Sequence, residues 1–286
     1  MQWGANAMSR KNGFVGSILA LTVILAAFAP GALGIPIGYV VDNEDNLYTI
    51  DLSNANTTLI GTTGVFFEGL ALSPGGTLYG TDTSGQLWTI NTTTAAPTLI
   101  GGTGLGDLEA LAFDGSTLIT ATNAGAGVVL YSLNTSTAAP TFLANTSPLI
   151  VDQGATAMTD IDSTNAYIIA GYEHTPQTLD SVNLSTGAVT TIGSTGLTDV
   201  AGIFGLALSG GTLYGVGDIG NEYTLNQTTG AATPLAESSG DQFFLDLTLA
   251  PATGPAGGVP EPATLSLLGL GLAGLIGRRM RRSSGR

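Results

Sequence analysis

Twenty carboxylates lie between residues 36 and 258, and the same stretch contains no Lys or Arg, a formal charge of −20. Carboxylates in loops can hold Ca2+, which takes six to eight oxygen ligands. Two of them held roughly 5 to 9 Å apart can flank a glycosidic bond, one as acid and the other as base or nucleophile. An acidic surface without counter-charge repels phosphate, so nucleic acid and anionic lipid are disfavoured as partners of this stretch. The candidate ligand or cation contacts are Asp42, Glu44 and Asp45 in the densest acidic run, together with Glu68, Glu109 and Asp246. The run from Asp42 to Asn46 lacks the spacing and the glycine of an EF-hand. Ca2+ is therefore the one cation considered, and no metal centre is assigned.

Other chemistry meets specific obstacles. His174 is the single histidine, so a multi-histidine zinc site cannot be built. There is no Gly-x-Ser-x-Gly elbow for a serine nucleophile. Without Arg or Lys the body cannot clamp a phosphate or a substrate carboxylate. Trp88 takes the place that tyrosine holds in other repeats, which reads as packing, and Phe66, Phe67 and Tyr172 are the loop aromatics placed to stack on a sugar. Catalytic residues are not assigned. There is no cysteine, so an exported body must be held by its core alone.

The elements that position these side chains repeat. Leu47–Ser53 recurs as Leu87–Thr93, Leu130–Ser136, Leu179–Ser185 and Glu222–Thr228, at spacings of 40, 43, 49 and 43 residues. A period in the forties made of short β-patterned runs predicts four-stranded propeller blades. In one repeat Glu68–Ser73 is the inner strand, Thr77–Asp82 the second, Gln86–Asn91 the third and Pro97–Gly101 the outer one. Gly69 and Ala71 suit the crowded inner position. The Asn-x-Ser/Thr triplets at Asn56, Asn91, Asn134, Asn183 and Asn226 read as turn formers of the third hairpin rather than glycan acceptors. Ile37–Asp42 reads as a second strand lacking an inner one, and Phe244–Ala250 as an inner strand with nothing after it. Joined, they complete a fifth blade and close the ring. This arrangement puts fourteen of the twenty acids on or beside the loops of one face and Asp114, Asp160 and Asp162 in turns of the other. Glu68 and Glu109 then start adjacent inner strands near the channel mouth, and Asp246 lies on the inner strand of the first blade.

The two ends of the chain are addresses. Arg10 and Lys11 precede an apolar run from Phe14 to Phe28, and Ala32 to Gly34 offers the small residues of a signal-peptidase site, with cleavage expected after Gly34. At the other end Pro260, Glu261 and Pro262 precede an apolar run from Ala263 to Gly277 and the charges Arg278, Arg279, Arg281 and Arg282. Fifteen residues of helix span roughly 22 Å, short of the ~30 Å hydrocarbon core. The arginines hold that end in the cytoplasm. This tail resembles the PEP-CTERM sorting signal of bacterial surface proteins, a pattern also labelled an ice-binding-protein C-terminal domain. The resemblance implies recognition of Pro260, Glu261 and Pro262 by an exosortase-type processing enzyme, transient membrane insertion through the helix, and its loss from the mature protein. It also implies a Gram-negative-type bacterium, a destination at the cell surface, outer membrane or extracellular matrix, and an association with exopolysaccharide.

The sequence therefore predicts an all-β fold, a five-bladed β-propeller closed by strands from both termini and flanked by a signal peptide and a C-terminal hydrophobic helix. The expected divisions are a signal peptide at 1–34, the propeller body at 35–250, a linker at 251–258 and the sorting signal at 259–286. The leading functional reading is an exported, non-enzymatic binding or structural module. Its alternatives are a carbohydrate-active propeller enzyme using paired carboxylates and a membrane-retained surface protein with an uncleaved tail.

Overall fold

The computed structural model describes residues 36–123, 127–147, 155–171, 176–197, 202–217, 220–237 and 242–250. The expected signal peptide, linker and C-terminal tail lie outside them, as do Asp152, Tyr172, Glu173, His174, Asp199, Asp218 and Asp241. Among the described residues, twenty strands form five four-stranded antiparallel sheets. The first blade contains β1 (Ile37–Asp42), β2 (Asn46–Asp51) and β3 (Asn56–Thr62), with β20 (Phe244–Leu249) as its inner strand. The second is β4 (Phe67–Leu72), β5 (Leu78–Asp82), β6 (Gln86–Ile90) and β7 (Pro97–Gly102). The third is β8 (Ala110–Asp114), β9 (Thr117–Asn123), β10 (Val128–Leu133) and β11 (Pro140–Asn145). The fourth is β12 (Ala155–Asp162), β13 (Asn165–Ala170), β14 (Thr178–Asn183) and β15 (Val189–Ser194). The fifth is β16 (Ile203–Ser209), β17 (Thr212–Gly217), β18 (Asn221–Leu225) and β19 (Ala232–Glu237).

The expected closure is present. β20 pairs with β1 from Gly38↔Leu249 to Asp42↔Phe244. The inner strands β4, β8, β12, β16 and β20 touch in sequence around the ring, and β20 packs on β4 to finish it. Inner strands approach so closely that a Cβ on Gly205 would meet the Leu247 backbone nitrogen at 2.3 Å, and one on Gly69 would meet the Leu111 Cβ at 3.1 Å. Both sheet faces of a blade are buried against neighbours, so the apolar core divides into five clusters, one at each seam between blades.

Each third hairpin is built alike. The residue opening the turn receives a backbone hydrogen bond from four positions on, as in Ala95 N–H to Asn91 O at 2.8 Å and Gly230 N–H to Asn226 O at 2.8 Å. The donors Ala55, Ala95, Ala138, Gly187 and Gly230 all have positive φ, between 57° and 78°. The side chains of Asn91, Asn134, Asn183 and Asn226 accept the backbone N–H groups two and three residues ahead. Asn56 departs from the expected pattern. It lies exposed at the start of β3, and Asp51 opens the turn in its blade, accepting the Ser53 N–H at 2.9 Å.

Candidate functional site

Loops from second to third strand and from outer strand to next inner strand meet on one face, here called upper. The Thr63 N–H donates to Asp45 O at 2.7 Å, and the Thr103 N–H donates to Gly85 O at 2.9 Å. The first of the sequence-predicted acids, Asp42, lies beneath this face and is only 2% exposed. It accepts the N–H groups of Glu44 (3.0 Å) and Asn46 (2.8 Å), the Asn46 side-chain amide (3.1 Å) and the Tyr48 hydroxyl (2.9 Å). Burial, with Asp42 beside it, raises the Tyr48 phenol to about 12. Asp82 repeats the arrangement one blade on, accepting from Ser84 N (2.9 Å), Gln86 N (2.9 Å), Gln86 Nε2 (3.2 Å) and Trp88 Nε1 (2.9 Å). Trp88 does pack, edge-on to Phe67 with centroids 6.3 Å apart, and its indole N–H also holds this carboxylate. Glu44 is exposed at the hairpin tip, and Asp45 is partly buried there with φ 64°.

Glu68 and Glu109 are brought together at the seam of the second and third blades, and the structure adds Asp107 and Asp82 to the group. Burial is the main reason that the Glu68 carboxyl is raised to about 8, followed by its hydrogen bond to Asp107 and the negative charges of Asp107, Glu109 and Asp82. The second oxygen of Glu68 is buried without a hydrogen-bond partner. A carboxyl raised to about 8 keeps its proton near neutral pH, so Glu68 is the donor in that hydrogen bond. Asp246 is not part of this group. It is fully buried at the seam of the first and second blades, where it accepts the N–H of Leu70 at 2.5 Å and of Leu247 at 2.7 Å. Burial raises its carboxyl well above the ordinary range. Among the described residues no group of three or more Asp, Glu, His or Cys side chains has an arrangement that could hold a metal ion.

Two further buried acids escape motif reasoning. Asp180 occupies the position of Tyr48 and Trp88 in its repeat, and Glu222 occupies the position of Leu47, Leu87, Leu130 and Leu179. Both carboxyls are raised by burial, that of Glu222 to about 7. The repeat alignment itself carries the signal, an acid standing where other blades have a leucine or an aromatic.

On the lower face, the inner strands end around a cavity of about 170 Å3 at the ring axis. Asp160 lies in its wall, close to Asp114 and Asp162. Burial first, then the charges of Asp114 and Asp162, raises its carboxyl to about 6.

The tail is decided by comparison with known families. Residues 258–282 match the PEP-CTERM protein-sorting motif. The chain carries a PEP-CTERM sorting signal. Such a signal marks a protein exported and sorted to the cell surface in Gram-negative bacteria, with processing by an exosortase-type enzyme. No curated protein is similar to the chain in sequence. Among solved structures, a chain of the nidogen/laminin complex is similar with a TM-score of 0.50 at 14% identity, over 76% of this chain and 99% of that one. TolB from Acinetobacter baumannii gives 0.45 at 15% identity, over 76% and 55% of the two chains. A protein of unknown function from Bacteroides caccae gives 0.43 at 10% identity, over 69% and 72%. At 14% identity the likeness to the nidogen/laminin chain is one of fold alone.

Proposed function

We propose that this PEP-CTERM protein is a non-enzymatic propeller that acts at the cell surface or in the extracellular matrix, as a binding or structural module associated with exopolysaccharide. The observation that carries the reading is the join between a sorting signal and a closed, internally braced ring. The upper-face carboxylates Asp42 and Asp82 are spent on holding their own hairpins, so that face serves as a rigid acidic platform. An acidic platform meets an anionic polymer through bridging cations, and Ca2+ enters here as the bridge, with the exposed Glu44 as its first contact. The exopolysaccharide of the native cells, immobilised and offered to the purified protein with and without Ca2+, tests this. Calcium-dependent retention is expected, and passage through the column unretained in both conditions overturns it.

One observation favours a second reading, carbohydrate-active chemistry. Glu68, raised to about 8 by burial and by the negative charges of Asp107 and Glu109, keeps its proton near neutral pH, as the acid in glycoside hydrolysis must. Hydrolysis of the same polysaccharide that is lost in Glu68→Gln would replace the first reading with this one.

A further inference from the structure

Five equivalent contacts join the blades where the third strand of one meets the third hairpin of the next. Four of them are apolar. Leu47 shares a cluster with Ala95, Leu87 with Ala138, Leu130 with Leu184 and Leu179 with Leu225, and each of the first-named leucines is fully buried. At the fifth contact, between the fifth and first blades, Glu222 stands in the leucine's place and is equally buried. Neither of its carboxylate oxygens has a hydrogen-bond partner among the described residues. An acceptor buried in this state costs free energy, and a charge there costs far more.

The groups around Glu222 offer no compensation. Across the seam stands the Asp51–Ala55 turn of the first blade, whose Asp51 adds a negative charge. Asp51 is held within that turn by the Ser53 N–H (2.9 Å), the Ser53 hydroxyl (2.6 Å) and the Asn54 amide (3.0 Å). The Ala55 N–H is already donated to Asp51 O at 2.9 Å. In its own blade Glu222 lies opposite Val216 on β17 and Ala236 on β19, with Glu237 opposite the neighbouring Asn221. Tyr48 and Tyr214 are the titratable side chains of the apolar cluster at this seam, and the Tyr48 hydroxyl is spent on Asp42. No Lys or Arg between residues 36 and 258 can neutralise an ionised Glu222.

From this one acid in a ring of leucine contacts, we infer that the seam between the fifth and first blades is a pH-operated latch, shut while Glu222 carries its proton and released when it ionises. Release lifts the 51–55 hairpin from β18 and lets water reach the carboxylate, while the four leucine contacts stay shut. In the closed seam the carboxyl is raised from 4.5 to about 7, by burial first and then by the charge of Asp51. Closure therefore favours the protonated form, so the latch is firm below about pH 4.5 and loosens as pH rises through 7.

Hydrogen exchange of the purified protein, followed by mass spectrometry at pH 4.5 and pH 8 and corrected for the intrinsic effect of pH, tests this. Residues 50–56 should open roughly thirty-fold more often at pH 8, a factor that follows from the raised carboxyl after allowance for solvent screening. The equivalent hairpins at 90–96, 133–139, 182–188 and 225–231 should show no such change. Glu222→Leu restores the contact of the other seams and should abolish the response. Glu222→Gln, polar but never charged, should abolish it too, while leaving residues 50–56 less protected than in Glu222→Leu at both pH values. A response that survives in Glu222→Gln, one that is absent from the parent, or one shared equally by all five hairpins would each overturn the latch. Failure here leaves the polysaccharide reading intact, because that reading concerns the upper face and not this seam.

Discussion

Replacing Glu222 by leucine should stabilise the ring, and more so as pH rises. Glu222 is fully buried on β18, with neither carboxylate oxygen hydrogen-bonded among the described residues. It faces the Asp51–Ala55 turn of the first blade, across the seam where the chain closes on itself. Burial, then the charge of Asp51, raises its carboxyl from 4.5 to about 7, and the Ala55 N–H, already donated to Asp51 O, offsets only part of this. A folded-state value above the unfolded one means that folding favours the protonated form. Stability is then full below about pH 4.5 and is lost as pH rises towards 7. A shift of this size corresponds to at most about 3.4 kcal/mol, which solvent screening at the seam reduces to about 2 kcal/mol. Other buried acids tilt the curve in the same direction, so the quantity to measure is the difference between Glu222→Leu and the parent in urea unfolding. That difference should be about 2 kcal/mol larger at pH 8 than at pH 4.5, or roughly 4 to 8 °C in Tm for a body of this size. A difference independent of pH would show that Glu222 is not held neutral by its surroundings, and a less stable variant at pH 8 would refute the argument outright.

Further outcomes follow from other parts of the ring. Asp82→Ala strands two backbone N–H groups, an amide and the Trp88 indole, so it should cost about 2 to 4 kcal/mol and shift Trp88 emission; unchanged emission would mean the indole is held by something else. Deletion of residues 241–250 removes the inner strand of the first blade and exposes an edge of β1, so sharp cooperative unfolding should be lost, and a truncated body that melts as sharply as the parent would disprove the closure. NaCl should raise Tm by screening the body's net charge of −20, and CaCl2 or MgCl2 at matched ionic strength should do no more, because Asp42 already has its donors; an added increment from Ca2+ alone would reveal a specific site at Glu44 and Asp45. Intact-mass measurement of protein from the native cells should find a start near Ile35 and an end near Pro260, and Arg282 in the mature form would contradict processing at the sorting motif.

The ring was legible because its signal is periodic. Turn residues and alternating apolar runs recur every forty-odd positions, and a strand left over at each end has one geometrical solution. β4 begins at Phe67 and β8 at Ala110, within a residue or two of where Glu68 and Glu109 place the inner strands. Individual carboxylates were harder to place, since an Asp at a hairpin reads the same whether it points to water or under the turn. The distinction lay in spacing that recurs in two blades, Asp42 with Asn46 and Tyr48, then Asp82 with Gln86 and Trp88, donors arranged around one acceptor. The channel was not legible at all, because its volume depends on how five inner strands, distant in sequence, approach each other.

The closing strand also sets an order of events. β20 ends at Leu249, eleven residues before Pro260, so at most about 36 to 40 Å of extended chain separates the last piece of the ring from the sorting motif. A protein exported from its N-terminus must keep β1 to β3 waiting, with an inner edge open, until nearly every other residue has crossed. A chain broken off anywhere before residue 244 lacks both the strand that shuts the ring and the peptide that directs it to the surface. The motif Pro-Glu-Pro follows the closing strand in the chain, so a processing enzyme that reads it meets only chains in which the strand that shuts the ring has already been made.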